Sequence, residues 1–232
     1  MRTRLATAAG ALLLLAWASV ALAGQPSRVI LALGNATFIN PATVQQATSA
    51  EVRQDPSIPL KDVAVLVLAN IPFKSLPQPI QDGLAEYVQA GGAVLLTGGP
   101  QAFGSGGYQP VADILPFRLR SESDWRNVPN RFPVVLQPGH PIIAGIAFIS
   151  VQALNDMNPR PDATEILQTA GGGAAGGGMY PYPLIGEIGV GRGRVVGIAF
   201  DLNDFAGMRD RDLFMQNTLT YLLAASGTGL GR

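Results

Sequence analysis

Two uninterrupted apolar runs that bracket an amphipathic helix constrain the fold of this sequence more than any other feature. The runs are Asp62–Leu68 and Ala93–Thr97, and each is typical of a strand that is covered on both faces of a parallel sheet. Between them, Ile80, Leu84 and Val88 recur at four-residue intervals on one helical face. This order predicts a right-handed crossover and a doubly wound sheet, which binds ligands at the carboxyl ends of its strands.

The rest of the chain predicts further elements of the same α/β class. Arg28–Leu33 is rich in branched residues and predicts another buried strand, and the C-terminal pattern predicts a helix that begins near Asp210 or Asp212. The remaining predictions are an edge strand at Ala50–Gln54, a capping box at Ser75 and Gln78, a short helix at Pro110–Leu115, a polar excursion at Trp125–Arg131, strands at Phe132–Leu136, Ala147–Leu154 and Glu165–Thr169, a flexible loop at Gly171–Gly178, and a hairpin formed by Pro183–Val190 and Arg194–Phe200.

The first 23 residues predict an export signal. Arg2 and Arg4 form a positively charged start, Leu5–Val20 supplies an apolar stretch, and Ala21-Leu22-Ala23 fits the small-x-small rule for cleavage. Cleavage would leave residues 24–232, which we expect to form a single periplasmic or extracellular domain. The alternative is an uncleaved membrane anchor, because the apolar stretch approaches the roughly 20 residues that span a bilayer.

Composition excludes several classes of function. The sequence has no cysteine, which removes lipoprotein attachment, disulfides, thiolate metal sites and cysteine catalysis. The formal net charge is zero at pH 7, so no electrostatic footprint indicates a nucleic-acid partner. We expect no metal and no cofactor, and the expected partner is a small molecule or another protein.

The loop from Gly98 to Tyr108 is the most distinctive segment. Five glycines in eleven residues allow backbone amides to turn outward and approach a ligand or another loop. It lacks the Gly-Lys-Ser/Thr of a nucleotide P-loop, and Phe103 occupies the first glycine position of a G-x-S-x-G elbow, although Ser105 stays a candidate nucleophile. The expected ligand-binding residues are Gly98, Gly99, Gln101, Phe103, Gly104, Ser105, Gly106, Gly107 and Tyr108.

His140 and the acids near residue 201 are the other candidates for chemistry. His140 is the only histidine, so any histidine base depends on it, but its place before Pro141 also fits a structural turn. Asp201, Asn203 and Asp204 would lie at the carboxyl edge of the sheet if their strand is parallel, where they could bind a cation or a sugar hydroxyl. Solvated loop acids are the simpler alternative.

Several of these motifs together resemble a known family. The matching pieces are an aromatic-Gly-x-Gly-Gly-aromatic loop at Phe103–Tyr108, a short helix that ends in Leu-Pro at Ile114–Pro116, His140-Pro141-Ile142 before Gly145, and Pro183-Leu184 leading through Gly191–Val195 to Phe200-Asp201. From Val29 to about Leu223 the chain resembles the glutamine amidotransferase-like family, relatives of the trehalose-utilisation-like proteins in the class I glutamine amidotransferase-like superfamily. We therefore expect a flavodoxin-like, doubly wound, mainly parallel sheet with helices on both faces and a C-terminal β-hairpin plus helix.

The resemblance also implies a lost active site. In the superfamily's amidotransferases, a cysteine at a sharp turn after a strand is activated by a histidine and releases ammonia from glutamine. The matching turn here falls at Gly98 and Gly99, and Pro141 and Ile142 follow His140 where the superfamily has a His-x-Glu pair. With neither nucleophile nor base, ordinary glutamine hydrolysis is excluded.

These observations predict a non-catalytic domain that binds a ligand or another protein through the glycine loop. A rival hypothesis is a hydrolase or sugar-modifying enzyme of the trehalose-utilisation-like type that uses His140 with Asp201 or Asp204. A third hypothesis makes the glycine loop an oligomer contact through Tyr108.

Overall fold

A computed structural model describes residues 28–148, 151–170, 181–204 and 209–226. The predicted export signal and the loop predicted at Gly171–Gly178 lie outside these ranges. None of the helices within them has the length and apolar character needed to cross a membrane.

The elements follow the α/β alternation that the sequence predicts. In chain order the longer ones are β1 (Val29–Gly34), α1 (Pro41–Thr48), β2 (Glu51–Arg53), β3 (Val63–Ala69), α2 (Gln78–Gln89), β4 (Ala93–Thr97), β5 (Phe117–Leu119), β6 (Trp125–Arg131), β7 (Pro133–Val135), β8 (Val151–Asn155), β9 (Met157–Pro159), β10 (Thr164–Thr169), β11 (Pro183–Val190), β12 (Gly193–Ile198) and α3 (Arg211–Ser226). Short 3-10 turns lie at Leu60–Asp62, Phe73–Ser75, Gln109–Ile114 and Pro141–Ile143.

Among the described residues, an eight-stranded sheet has the order β2-β1-β3-β4-β12-β11-β10-β7. The first five strands are parallel, and the last three continue the sheet in antiparallel fashion. The chain places β2 on one side of β1 and then β3 on the other side of β1. The strand order therefore reverses between β1 and β3. The fold is α/β with a large, mostly parallel central sheet, which is compatible with a flavodoxin-like arrangement.

Alternate side chains of the central strands pack into two separate cores. Val65 belongs to a cluster that includes residues of α1 and α3, whereas its neighbour Leu66 belongs to a cluster with Ile80, Leu84 and Val88 of α2. Each strand is therefore covered on both faces, which explains why its sequence is apolar without interruption.

The strand-helix-strand prediction is confirmed by β3, α2 and β4, but two local predictions are wrong. Trp125–Arg131 is not a polar excursion, because it forms β6 and pairs antiparallel with β8. No capping box forms at Ser75 and Gln78, since Ser75 ends a 3-10 turn and Pro77 precedes α2 without a side-chain cap.

The sequence predicts no helix at α1, and the structure explains why. Helix α1 has only one buried residue, Val44, so its sequence carries almost no helical periodicity.

Candidate functional site

The carboxyl ends of the parallel strands meet at one edge of the sheet, and the candidate residues gather there. Asn35, Asn70 and Gly98 directly follow β1, β3 and β4, and Asp201 follows β12 by three residues. The sequence predicts Asp201 at this edge only if the strand before it is parallel, and β12 is indeed parallel to β4. The loops after β1 and β3 flank the point where the strand order reverses, which is the usual ligand position in open α/β sheets.

The glycine loop is anchored in the core by its aromatic residues. Phe103 and Tyr108 are both fully buried, and their rings make edge-to-face contacts with Phe117 and Phe73, at centroid distances of 5.8 Å and 5.4 Å. The Tyr108 hydroxyl donates to the carbonyl oxygen of Ile71 over 3.0 Å, and burial raises the pKa of Tyr108. Neither ring lies on the surface, so the geometry gives no support to an oligomer contact through Tyr108.

The outward-facing amides of the loop already hold a carboxylate of this chain. Asp124 accepts hydrogen bonds from the amides of Gly104 and Ser105 over 2.9 and 3.0 Å, from the Ser105 hydroxyl over 2.7 Å, and from the Asn155 side-chain amide over 2.9 Å. Asp124 is fully buried. The loop amides that the sequence suggests for a ligand are therefore occupied by Asp124.

Ser105 has no base in contact with its hydroxyl among the described residues except the Asp124 carboxylate. Its Oγ donates to Asp124 and accepts from the amides of Asp124 and Trp125 over 3.0 and 3.3 Å. These bonds fix Ser105 as part of the loop's internal network. The arrangement lacks the imidazole that activates a serine nucleophile.

The start of the loop is held by two asparagines. Asn155 accepts from the amide of Gly99 over 3.0 Å and donates to its carbonyl oxygen over 3.1 Å. Asn70 accepts from the amide of Gln101 over 2.9 Å. The amides of Gly99, Gln101, Gly104 and Ser105 are thus all satisfied by side chains of this protein.

The turn at Gly98 and Gly99, where the resemblance predicts the amidotransferase elbow, has no room for a side chain. A Cβ at Gly98 would lie 2.5 Å from the carbonyl carbon of Ala199 and 2.7 Å from the Asn155 side-chain oxygen. A Cβ at Gly99 would overlap the side-chain amide of Asn70, and the backbone there has φ of +140°, a value that favours glycine. The elbow is therefore filled by the Ala199 backbone and by the side chains of Asn70 and Asn155.

A second polar group, which we call the edge cluster, consists of Asn35, Thr37, Asn70, Asp201 and Asn203. Asp201 accepts from the Asn70 amide over 3.1 Å, and from the backbone and side chain of Asn203 over 2.8 and 3.2 Å. Thr37 donates to Asn203 over 2.5 Å, and Asn203 donates to the carbonyl oxygen of Asn35 over 2.7 Å. The cluster joins the loops that follow β1, β3 and β12.

Within the edge cluster, solvent exposure of the side chains increases from the core towards the surface. Asp201 is 6% exposed, Asn70 and Asn203 are partly exposed, and Asn35 and Thr37 are exposed. At the base of this edge, Thr97 is fully buried, and its hydroxyl has no partner in the described part of the chain. No group of three or more histidine, cysteine, aspartate or glutamate side chains that could hold a metal occurs in the described ranges.

The structure does not bring His140 together with the glycine loop or with the acids at 201–204. His140 Nε2 lies 3.4 Å from Glu187 Oε1, its Nδ1 accepts from the amide of Ile142, and its ring packs against Tyr221. Glu187 in turn pairs with Arg194, whose register partner is Ala93 at the amino end of β4. His140 therefore belongs to a cluster towards the amino ends of the parallel strands.

Sequence reasoning identified Asp201 and Asn203, but it missed Asn70, Asn155 and Asp124. Asn70 had a usable signal, because it is the first residue after a strand that is buried throughout. Asp124 had none, since twenty residues separate it from the loop amides that it binds. The predicted candidate Asp204 is exposed at the end of a described range.

No protein-family model matches the sequence, and the search of curated proteins finds no relative. Solved structures share the fold. A cytoplasmic protein from Salmonella typhimurium aligns with a TM-score of 0.63 at 15% identity, over 84% of this chain and 98% of that one. A ThuA-like protein from Bacteroides uniformis aligns with a TM-score of 0.53 at 14% identity, over 87% and 94%.

A cold-adapted β-galactosidase from Rahnella sp. R3 aligns with a TM-score of 0.52 at 14% identity, over 95% of this chain but 34% of the enzyme. At such identities the comparisons show a common fold. The ThuA-like neighbours support the similarity to trehalose-utilisation-like proteins at that level.

Proposed function

We propose that this chain is an exported, non-catalytic binding module built on a doubly wound, flavodoxin-like frame of the glutamine amidotransferase-like type. Its ligand site is the edge cluster, and the glycine loop with Asp124 supports that site from within. The observation that carries the proposal is the filled elbow, where Asn70 and Asn155 take the space that a nucleophilic side chain would need.

The arrangement of the candidate groups supports a non-catalytic role. Nucleophilic catalysis needs a nucleophile within hydrogen-bond reach of a base. Gly98 and Gly99 have no side chain. Among the described residues, the base in contact with Ser105 is Asp124, which is fully buried and also accepts from two loop amides and Asn155. His140 contacts Glu187 and Tyr221 instead of an acid of the edge cluster. The rival enzyme that pairs His140 with Asp201 or Asp204 has no geometric support.

The chemistry of the edge cluster favours a small polar ligand that brings hydroxyl or ammonium groups. Asp201 receives its hydrogen bonds from neutral amides, so a ligand donor would form a charge-assisted bond with its carboxylate. Asn35, Thr37 and Asn203 lie nearer the surface and offer both donors and acceptors. Such a mixture can orient a small molecule without performing chemistry on it.

A thermal-shift screen of the exported protein against sugars, amino acids and divalent ions tests the proposal. We expect a hit whose stabilisation is lost in Asp201→Asn and kept in Asp204→Asn, because the second acid is exposed and outside the hydrogen-bonded cluster. A hit that survives Asp201→Asn would place the ligand elsewhere. Release of ammonia from glutamine by the parent protein would refute the non-catalytic role.

A further inference from the structure

The far edge of the sheet carries an unusual concentration of exposed apolar side chains. Among the described residues, five large hydrophobic side chains are exposed, and four of them fall in a single run of the sequence. These four, which we call the β7 patch, are Phe132 (61% exposed), Val134 (38%), Val135 (43%) and Leu136 (37%). The fifth, Leu213, lies on α3. Successive side chains of a strand point to opposite faces, so Phe132, Val134 and Leu136 share one face and Val135 lies on the other. An edge strand that exposes apolar side chains on both faces is open to pairing with another strand.

The backbone of the β7 patch is available on one side. β7 is the last strand of the sheet, and its register with β10 pairs Val135 with Leu167. The Leu136 amide donates to Ile166, and the Phe132 carbonyl accepts from Ala170, so the main-chain groups of these even-numbered positions face β10. Because the direction alternates along a strand, Pro133 and Val135 present their main-chain groups to the outside.

The strand at the opposite edge of the same sheet is protected against pairing with a strand of another molecule. The edge strand β2 is three residues long and carries Glu51 and Arg53, whose side chains form an ion pair at 2.8 Å. Both edge strands are three residues long, so the difference between them is charge, which is one of the usual protections against strand pairing between molecules. The run Phe132–Leu136 contains no charged residue.

We propose that β7 is a self-association strand, through which a second copy of this chain pairs antiparallel across a twofold axis near Val135. In this pair the two Val135 residues exchange both of their main-chain hydrogen bonds, and the apolar side chains of the two β7 patches lie side by side. The sheet of one copy then continues into the sheet of the other.

Pro133 favours a second copy over a longer partner strand. Proline has no amide hydrogen, so a partner strand running along the whole edge would lose a ladder bond at that position. The twofold pair needs only the amide and carbonyl of Val135, which both copies supply. Within this run, Val135 is the position at which the outer edge offers both an amide and a carbonyl, so the interface is self-complementary there.

Opposite charges mark the two ends of the patch and favour the antiparallel direction. Arg131 precedes the patch, and Glu165 of β10 lies two residues beyond Leu167, near the other end. Burial raises the pKa of Glu165. In the twofold pair the Arg131 end of one patch lies next to the Glu165 end of the other, whereas in a parallel pair the two Arg131 ends would meet.

Sedimentation of the exported protein over a range of concentrations tests the proposal, because a patch this small supports a weak and therefore concentration-dependent dimer. We expect reversible dimerisation in the parent and at least about tenfold weaker association in Val135→Lys, which places a charge at the twofold axis. Val135→Pro removes the outward amide and should weaken association similarly. The matched control Leu213→Lys should dimerise like the parent.

A parent that stays monomeric at every concentration would overturn the proposal, and so would a Val135→Lys variant that dimerises normally. Hydrogen exchange at the Val135 amide gives a readout that needs no variant. Slower exchange at higher concentration supports pairing through this amide, and exchange independent of concentration contradicts it.

Discussion

Two aspartates near the same edge of the sheet have opposite surroundings. Asp124 is fully buried, and two loop amides, a hydroxyl and the Asn155 amide donate to it. Asp201 is also largely buried, but its partners Asn70 and Asn203 are partly exposed and connect it to surface side chains. A saturated buried carboxylate stabilises a loop, while one that reaches the surface through partly exposed amides can exchange partners with a ligand.

The glycine loop is therefore an internal structural element of this protein. Its amides have the geometry of an anion site, but the anion is Asp124 of the same chain. Asn70 and Asn155 hold the start of the loop, and the accessible polar groups lie in the edge cluster, in the loops after β1, β3 and β12.

The largest effect should come from removing the buried aspartate. Asp124→Ala leaves the amides of Gly104 and Ser105 and the side chain of Asn155 unsatisfied in the interior, and each buried unsatisfied group costs roughly 1–3 kcal/mol. We expect a loss of about 4 kcal/mol in the free energy of unfolding, measured by urea denaturation. The exposed neighbour Glu122→Ala is the control and should change stability by less than about 0.5 kcal/mol. Equal stability of the two variants would remove the structural role of Asp124.

An intermediate effect should come from the glycine that lies between the two aspartate networks. The Gly99 amide binds Asn155, and its Cα faces the Asn70 side chain, so Gly99→Ala should disturb both networks. We expect a loss of about 2–4 kcal/mol by urea denaturation, from steric overlap together with the unfavourable φ.

Gly107→Ala separates those two causes. Gly107 also has positive φ, +75°, but no atom lies within 4 Å of a Cβ built there. We expect this control to lose only about 1 kcal/mol, the conformational part. A similar loss in both variants would show that the elbow is not filled.

The smallest effect on stability should come from Asp201→Asn. An asparagine oxygen can still accept from the backbone of Asn203, so the loss should stay near 1 kcal/mol in urea denaturation. The consequence for ligand binding should nevertheless be complete, because the carboxylate charge is gone. A loss as large as that of Asp124→Ala would make Asp201 a structural residue and end the contrast between the two acids.

The predictions made from sequence succeeded where a pattern is local. The apolar runs at β3 and β4 and the helical spacing of Ile80, Leu84 and Val88 lie within the elements that they predict. The strand after Trp125 was missed because β6 and β8 form a separate pair whose exposed faces are polar. The glycine loop was placed correctly at the carboxyl end of β4, but Asp124, its internal partner, could not be anticipated.

By itself, the sequence determined the α/β alternation and the position of the glycine turn after a central strand, because both depend on residues close together in the chain. Its composition determined the absence of a thiol nucleophile. Only the tertiary structure decided that Asp124 fills the loop, that Asn70 meets Asp201, and that His140 lies elsewhere. Those contacts join residues 20 to 131 positions apart. The order of the strands in the sheet determines which residues make these contacts, and no local sequence pattern encodes that order.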